Sequence, residues 1–168
     1  VFSPGSADNY NITIVSGQLE IQRRSLYVQA DNLSKTFGDD DPTFTYSYDP
    51  ADLVGSDSFG GSLSRDAGED FGTYAITLGD LSVSDNYDLT VDGGTFTINR
   101  RAITITADHQ TKVYGDPDPA FTWSLTSGSY AFGQTTLNGN LSRDAGSNVG
   151  TYTITLGEIE GYNPNYDI

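Results

Sequence analysis

The chain contains no cysteine and no methionine. The first absence removes disulfide staples and thiolate metal sites. The second, which extends to position 1, points to a piece excised from a longer polypeptide. Basic side chains are also scarce. Eight Lys and Arg stand against 23 Asp and Glu, giving a formal net charge of −15 and a pI of about 4.1. Long-range repulsion of this size disfavours nucleic acid and anionic membrane surfaces as partners. No apolar run is long enough to span a bilayer and no signal peptide is read at the start, so no membrane insertion is expected. His109 is the only histidine. With no cysteine, no GxSxG elbow and no phosphate-binding glycine loop, the chain lacks the usual equipment for catalysis and reads as non-enzymatic. Acid pairs of the kind glycosidases use are available only because acids are everywhere.

What the sequence does have is repetition. Arg65 to Gly79 reads RDAGEDFGTYAITLG, and Arg143 to Gly157 reads RDAGSNVGTYTITLG, 78 residues later. Arg23-Arg24 returns as Arg100-Arg101, Lys35 as Lys112, and GDDDP from Gly38 as GDPDP from Gly115, each 77 residues on. Asn86-Tyr87-Asp88 returns as Asn165-Tyr166-Asp167 and has an earlier echo in Asn9-Tyr10-Asn11. All eight basic residues fall on repeated positions, whereas His109 is matched by Asn32. Such duplication supplies reach or valency, while an enzyme gathers unlike residues into one site. A module of this size buries only about 60–65% of its unfolded surface, so neighbour contacts are expected to add stability.

The hydrophobic period is two nearly throughout, which predicts strands. Phe44, Tyr46 and Tyr48 alternate with polar residues, as do Phe121, Trp123 and Leu125; Tyr74, Ile76 and Leu78 follow Gly72, and Tyr152, Ile154 and Leu156 follow Gly150. Tyr87, Leu89 and Val91 lead into Asp92-Gly93-Gly94, and Phe96 and Ile98 lead out, which reads as a hairpin. The one helical candidate is Pro50 to Val54, capped by Asp49 and ended by Gly55.

At each arginine pair the apolar phase flips: Phe96 and Ile98 are even-numbered, Ile103 and Ile105 odd. Side chains alternate strictly across a sheet, so a strand that changes its buried face is leaving one core for the next. Boundaries placed there make 1–22 the C-terminal hairpin of a preceding repeat, 23–99 a complete repeat, and 100–168 a repeat lacking its last hairpin. Permuted units, 1–85 and 86–168, are the alternative. The copies diverge in two loops: Asp49–Ser62 against the longer Thr126–Asn140, and Asp80–Asp85 against Glu158–Pro164.

The order KxFGDxDPxFTYSY, GxLSRDAGxxxGTYxIT and NYDLTVDGGTFTI resembles the MBG repeat of YGX type, found in large bacterial surface adhesins and haemagglutinin-like exoproteins. The YG pair is intact as Tyr114-Gly115 and altered to Phe37-Gly38 in the first copy. The resemblance implies a mainly β module related to the β-grasp type, with an immunoglobulin-like β-sandwich as the alternative. It also implies an extracellular location, at the cell surface or secreted, and a stalk that presents a distal binding domain in adhesion or biofilm. Neighbouring repeats are then the main partners. A carbohydrate-binding module for mucin or matrix glycan is the second reading, with Tyr130 and Phe132 in a variable loop as candidate contacts.

Asp39, Asp41, Asp116 and Asp118 lie in Gly/Pro loops and are the candidate ligands for calcium, although no EF-hand or nonapeptide spacing is present. A solvated acidic turn is the simpler reading. Lys35 and Lys112, the only lysines, raise the idea of an isopeptide staple. Arg65, Asp66, Gly72 and Tyr74, with Arg143, Asp144, Gly150 and Tyr152, form the repeat signature. It is read as a structural turn in which the arginine pairs with a carboxylate or with backbone carbonyls.

Overall fold

The computed structural model describes residue 11 and residues 13–168. Residues 1–10 and 12, with part of the first expected hairpin, lie outside the described residues. The fold is mainly β. The first repeat contains β1 (Arg24–Ala30), β2 (Leu33–Thr36), β3 (Tyr46–Ser47), β4 (Ser64–Arg65), β5 (Gly72–Thr77), β6 (Tyr87–Asp92) and β7 (Thr95–Asn99). The second contains β8 (Arg101–Ala102), β9 (Thr104–Ala107), β10 (Trp123–Ser127), β11 (Ser142–Arg143), β12 (Ile154–Thr155) and β13 (Tyr166–Asp167).

Two long segments running in parallel organise the first repeat. β1 lies beside β6 with Arg24 opposite Tyr87, and β2 lies beside β7 with Leu33 opposite Phe96, an unchanged offset of 63 residues. Both segments therefore pass together from one sheet, ordered β3-β1-β6, into another, ordered β2-β7-β5-β4. The crossing is at Asp31-Asn32 on one segment and Gly93-Gly94 on the other. Gly94 has φ 105°, and a Cβ there would lie 2.6 Å from that of Ala30, so the two chains cross at a distance only glycine permits. The Asn32 side chain accepts from Thr95 N at 2.8 Å and holds the crossing. This corrects the hairpin reading: β7 does not fold back on β6 but enters a different sheet, because each segment keeps its parallel companion through the bend.

The alternation sets the core. Leu26 and Val28 on β1 and Phe96 and Ile98 on β7 are fully buried. Each such side chain stabilises the fold by about 1.5–3 kcal/mol relative to exposure. The phase flip is visible at Arg100, where buried Phe96 and Ile98 give way to buried Ile103. β7 pairs within the first repeat, while β8 pairs in parallel with β13 in the second. β9 pairs antiparallel with β10, Trp123 opposite Ala107, and β11 pairs with β12.

Helix is sparse, and its position differs from expectation. Pro50–Asp52 is a single 3-10 turn; the Asp49 carboxylate accepts from Ala51 N at 2.9 Å, and the turn ends at Leu53 rather than at Gly55. A short helix that the period-two pattern hides, α1 (Ile159–Tyr162), lies in the second variable loop and buries Ile159 completely. The buried Asn163 follows it and is fully bonded to Asn138 and to the Ile159 carbonyl.

Candidate functional site

The repeat signature builds the same turn twice. Arg65 Nη1 donates to the carbonyls of Asp66 (3.0 Å) and Gly68 (2.5 Å), and its guanidinium lies 5.3 Å from the Tyr74 ring. The Tyr74 hydroxyl donates to the Asp70 carbonyl at 2.8 Å. In the second copy Arg143 Nη1 donates to Asp144 and Gly146, both at 2.7 Å, and covers Tyr152 at 5.1 Å, whose hydroxyl donates to the Asn148 carbonyl. Asp66 and Asp144 join the turn through backbone bonds to Ala75 and Thr153. Gly68 is required: its φ is 147°, and a Cβ would meet the Tyr74 ring at 2.3 Å. Gly72 opens β5 opposite Ile98, whereas its counterpart Gly150 lies outside any strand.

The same arginine closes a charge cluster. Asp41 accepts from Arg65 Nε at 2.6 Å and from Lys35 Nζ at 2.7 Å, and Glu69 lies 2.5 Å from both cations. The Lys35 and Arg65 side chains are buried, and neither carboxylate is. Hydrogen bonds from Arg65, then Lys35, hold Asp41 below the usual carboxylate range against its partial burial. Burial opposes the Lys35 ammonium, but bonds to Asp41 and Glu69 outweigh it and raise its pKa. In the second copy Asp118 pairs with Arg143 and Lys112, both at 2.7 Å, and those bonds lower it to about 2. Glu69 is replaced there by Ser147.

This arrangement engages the carboxylates of three of the four aspartates considered for calcium. Asp41 and Asp118 are occupied by cations of the chain itself. Asp39 pairs with Arg101, and the backbone carbonyl of Asp116 accepts from Lys112 Nζ at 3.0 Å. Among the described residues no group of three or more His, Cys, Asp or Glu side chains is placed to hold a metal ion. An isopeptide staple at Lys35 is also disfavoured, because a protonated amine facing ionised carboxylates is not a nucleophile.

The two copies meet at a joint. Phe37 is 7% exposed, with its ring edge-on to Phe132 at 5.2 Å and to Tyr166 at 5.5 Å. Gly38 lies so close to the second copy that a Cβ would approach that of Ala131 to 2.3 Å. Arg101 Nε donates to the Phe37 carbonyl at 2.7 Å, and its Nη2 pairs with Asp39. On the other flank Asn165 accepts from Phe71 N at 2.7 Å and donates to Asp70 at 2.8 Å, while Arg100 covers the Phe71 ring at 4.5 Å.

The MBG domain family (YGX type) matches twice, at residues 26–97 and 103–168. The chain belongs to the MBG family. No curated protein and no solved structure matches it.

In MBG terms, the residues of the YG motif form the joint. Phe37-Gly38 of the first MBG domain is covered by the second, whereas Val113 and Tyr114 of the second are 71% and 70% exposed. Tyr130 and Phe132, the candidate glycan contacts, also fall at the joint. Tyr130 packs edge-on to Tyr166 at 6.3 Å, and Phe132, though 63% exposed, lies against Phe37. Phe132 has φ 50°, a backbone strain of about 1–3 kcal/mol for a non-glycine residue. The sequence reading missed Phe37, Asp70, Phe71 and Asn165 as joint residues. The available signal was that the arginine pair, the YG motif and the NYD motif repeat together. The NYD tyrosines serve the variable loops: Tyr87 and Tyr166 are buried, accept from Val54 N and Ala131 N, and donate to Asp57 and Gln134.

Proposed function

We propose that the chain is a non-catalytic stretch of a bacterial surface adhesin, extracellular, acting as a stalk that presents a distal binding domain. The joint carries this reading. A single residue, Arg100, separates β7 of one domain from β8 of the next, and aromatic, ionic and amide contacts brace that strand from both flanks. Bending between domains would break several of these contacts together, so the pair behaves as one stiff rod segment. The acidic surface keeps a repetitive array soluble and apart from its copies. The partners on this reading are neighbouring repeats of the same polypeptide. Small-angle scattering of the chain should give an extended particle of fixed shape. A compact envelope, or a scattering curve requiring freely hinged domains, would overturn the stalk.

A further inference from the structure

The second domain places a strained residue at the joint. Among the described residues Phe132 is the one non-glycine position with positive φ, at 50°. It lies in the turn 131–134, closed by a bond from Gln134 N to the Ala131 carbonyl at 3.0 Å. The first domain builds the matching turn at 54–57, where Asp57 N donates to the Val54 carbonyl at 3.2 Å. In both, the tyrosine of the NYD motif fixes the turn, accepting from Val54 N or Ala131 N and donating to Asp57 or Gln134. The first copy meets the positive φ with Gly55, at 66°, a conformation glycine adopts without strain. The second meets it with phenylalanine, which costs free energy and persists only where the surroundings hold it.

Its own domain gives that residue little in return. Phe132 is 63% exposed, and the ring it meets is Phe37 of the first domain, edge-on at 5.2 Å and 84°. Because Phe37 is buried, Phe132 forms the outer wall of the slot that holds it, with Tyr166 edge-on at 5.5 Å and Ala131 against Gly38. That slot takes a phenyl ring and has no partner for a phenol, whose hydroxyl needs one when buried. The Phe132 and Ala131 side chains are apolar. The Tyr166 hydroxyl is committed to Ala131 N and Gln134, and the Arg101 guanidinium to the Phe37 carbonyl and Asp39. The sequence agrees with this: the YG motif reads Phe37-Gly38 at this joint and keeps its tyrosine at Tyr114-Gly115.

We infer that residue 132 selects the neighbour: phenylalanine there accepts a preceding domain whose β2 runs into phenylalanine-glycine and rejects one that runs into tyrosine-glycine. Glycine at that place, as at Gly55, opens the slot to water on that side and admits the tyrosine. A segment of the Tyr114-Gly115 kind therefore matches a turn of the Val54-Gly55 kind, and neighbouring domains are matched by sequence rather than interchangeable. The specificity comes from excluding the wrong ring, since a buried hydroxyl left without a partner is penalised more than a made hydrogen bond is rewarded. The backbone strain at Phe132 is retained because its ring builds the wall. The inference concerns domain order and holds whether or not the array is a stalk.

The test is a set of substitutions in the 168-residue chain, with thermal unfolding followed by Trp123 fluorescence and by circular dichroism. Phe37→Tyr is introduced into the wild type, into Phe132→Gly and into Phe132→Ala. In the wild type it should lower the tryptophan-reported midpoint by about 3–6 °C, the shift expected for one unpaired buried hydroxyl in a chain of this size. With the ring at 132 removed, the same change should shift the midpoint by about 1 °C or less. Alanine at 132 removes the ring but keeps the strained backbone, whereas glycine relieves it, so rescue in both backgrounds identifies the ring as the selector. Rescue by glycine alone would overturn the inference. So would a Phe37→Tyr change that leaves the wild-type midpoint where it is, or that lowers the midpoint equally in all three backgrounds.

Discussion

Truncating Phe37 should weaken the second domain, although the residue belongs to the first. Its ring is buried, and the aromatic partners within reach, Phe132 and Tyr166, are both in the other domain. Removing a buried phenylalanine side chain costs about 3–5 kcal/mol. Phe132 is 63% exposed, so its own truncation should cost about 1 kcal/mol or less. The interaction between them is isolated by the double-mutant cycle of Phe37→Ala and Phe132→Ala. An edge-to-face pair contributes about 0.5–1.5 kcal/mol beyond area, which is the expected coupling. Urea unfolding suits the measurement because Trp123, the only tryptophan, lies in β10 and reports the second domain, while circular dichroism reports both. Phe37→Ala should move the tryptophan transition to lower urea. A tryptophan transition superimposable on that of the wild type, with the two substitutions additive within about 0.3 kcal/mol, would refute a mechanically coupled joint.

Gly38→Ala and Gly115→Ala should separate. Both positions have positive φ, but a Cβ at 38 strikes Ala131 whereas one at 115 meets open space; the first should cost about 2–4 kcal/mol and the second about 1 kcal/mol in thermal unfolding. Arg101→Ala should cost about 1–2 kcal/mol, since its Asp39 partner is half exposed, and should broaden the distance distribution derived from scattering. Gly68→Ala should lower the melting temperature through collision with the Tyr74 ring, and Gly146→Ala should do the same against Tyr152. Stability should fall in acid. The depressed Asp41, Glu69 and Asp118 carboxylates contribute fully above their unfolded values near 4, and that contribution is lost as pH drops through their folded values, about 2 for Asp118. A melting temperature unchanged between pH 5 and pH 2.5 would contradict the ion-pair assignments.

The parts of this fold legible from sequence are those that period and duplication encode. Alternation at Phe96, Ile98 and Ile103 marks buried faces and a phase change, because a strand has only two sides. The Arg65 turn was legible because its geometry is local: the arginine, the glycine under the ring and the tyrosine lie within ten residues and recur as a unit. The Gly93-Gly94 turn was misread because a double glycine allows a hairpin and a sheet crossing equally, and the choice depends on β1 and β2, some 60 residues away. The pairing of Asp41 with Lys35 and Arg65 also depends on distant segments. An acidic turn viewed without those segments offers oxygen ligands to a cation, whereas in the fold the Asp41 carboxylate faces Lys35 and Arg65.

The phase flip at the arginine pair also has an energetic meaning. Because β7 completes the core of one domain and continues through Arg100 into β8 of the next, a domain gives up two fully buried side chains, Phe96 and Ile98, if the strand following it is withdrawn. At about 1.5–3 kcal/mol each, that is a large share of what a module of this size can muster. Pulling on the chain from its ends therefore loads the strand that holds two cores together, with β2 parallel to it and β5 antiparallel. Force must then break a ladder of main-chain bonds in shear rather than open them one at a time. For Phe96→Ala this argument predicts a loss of about 3–5 kcal/mol in solution and a lower rupture force in single-molecule pulling. Rupture forces equal to wild type would mean that the strand does not carry the load.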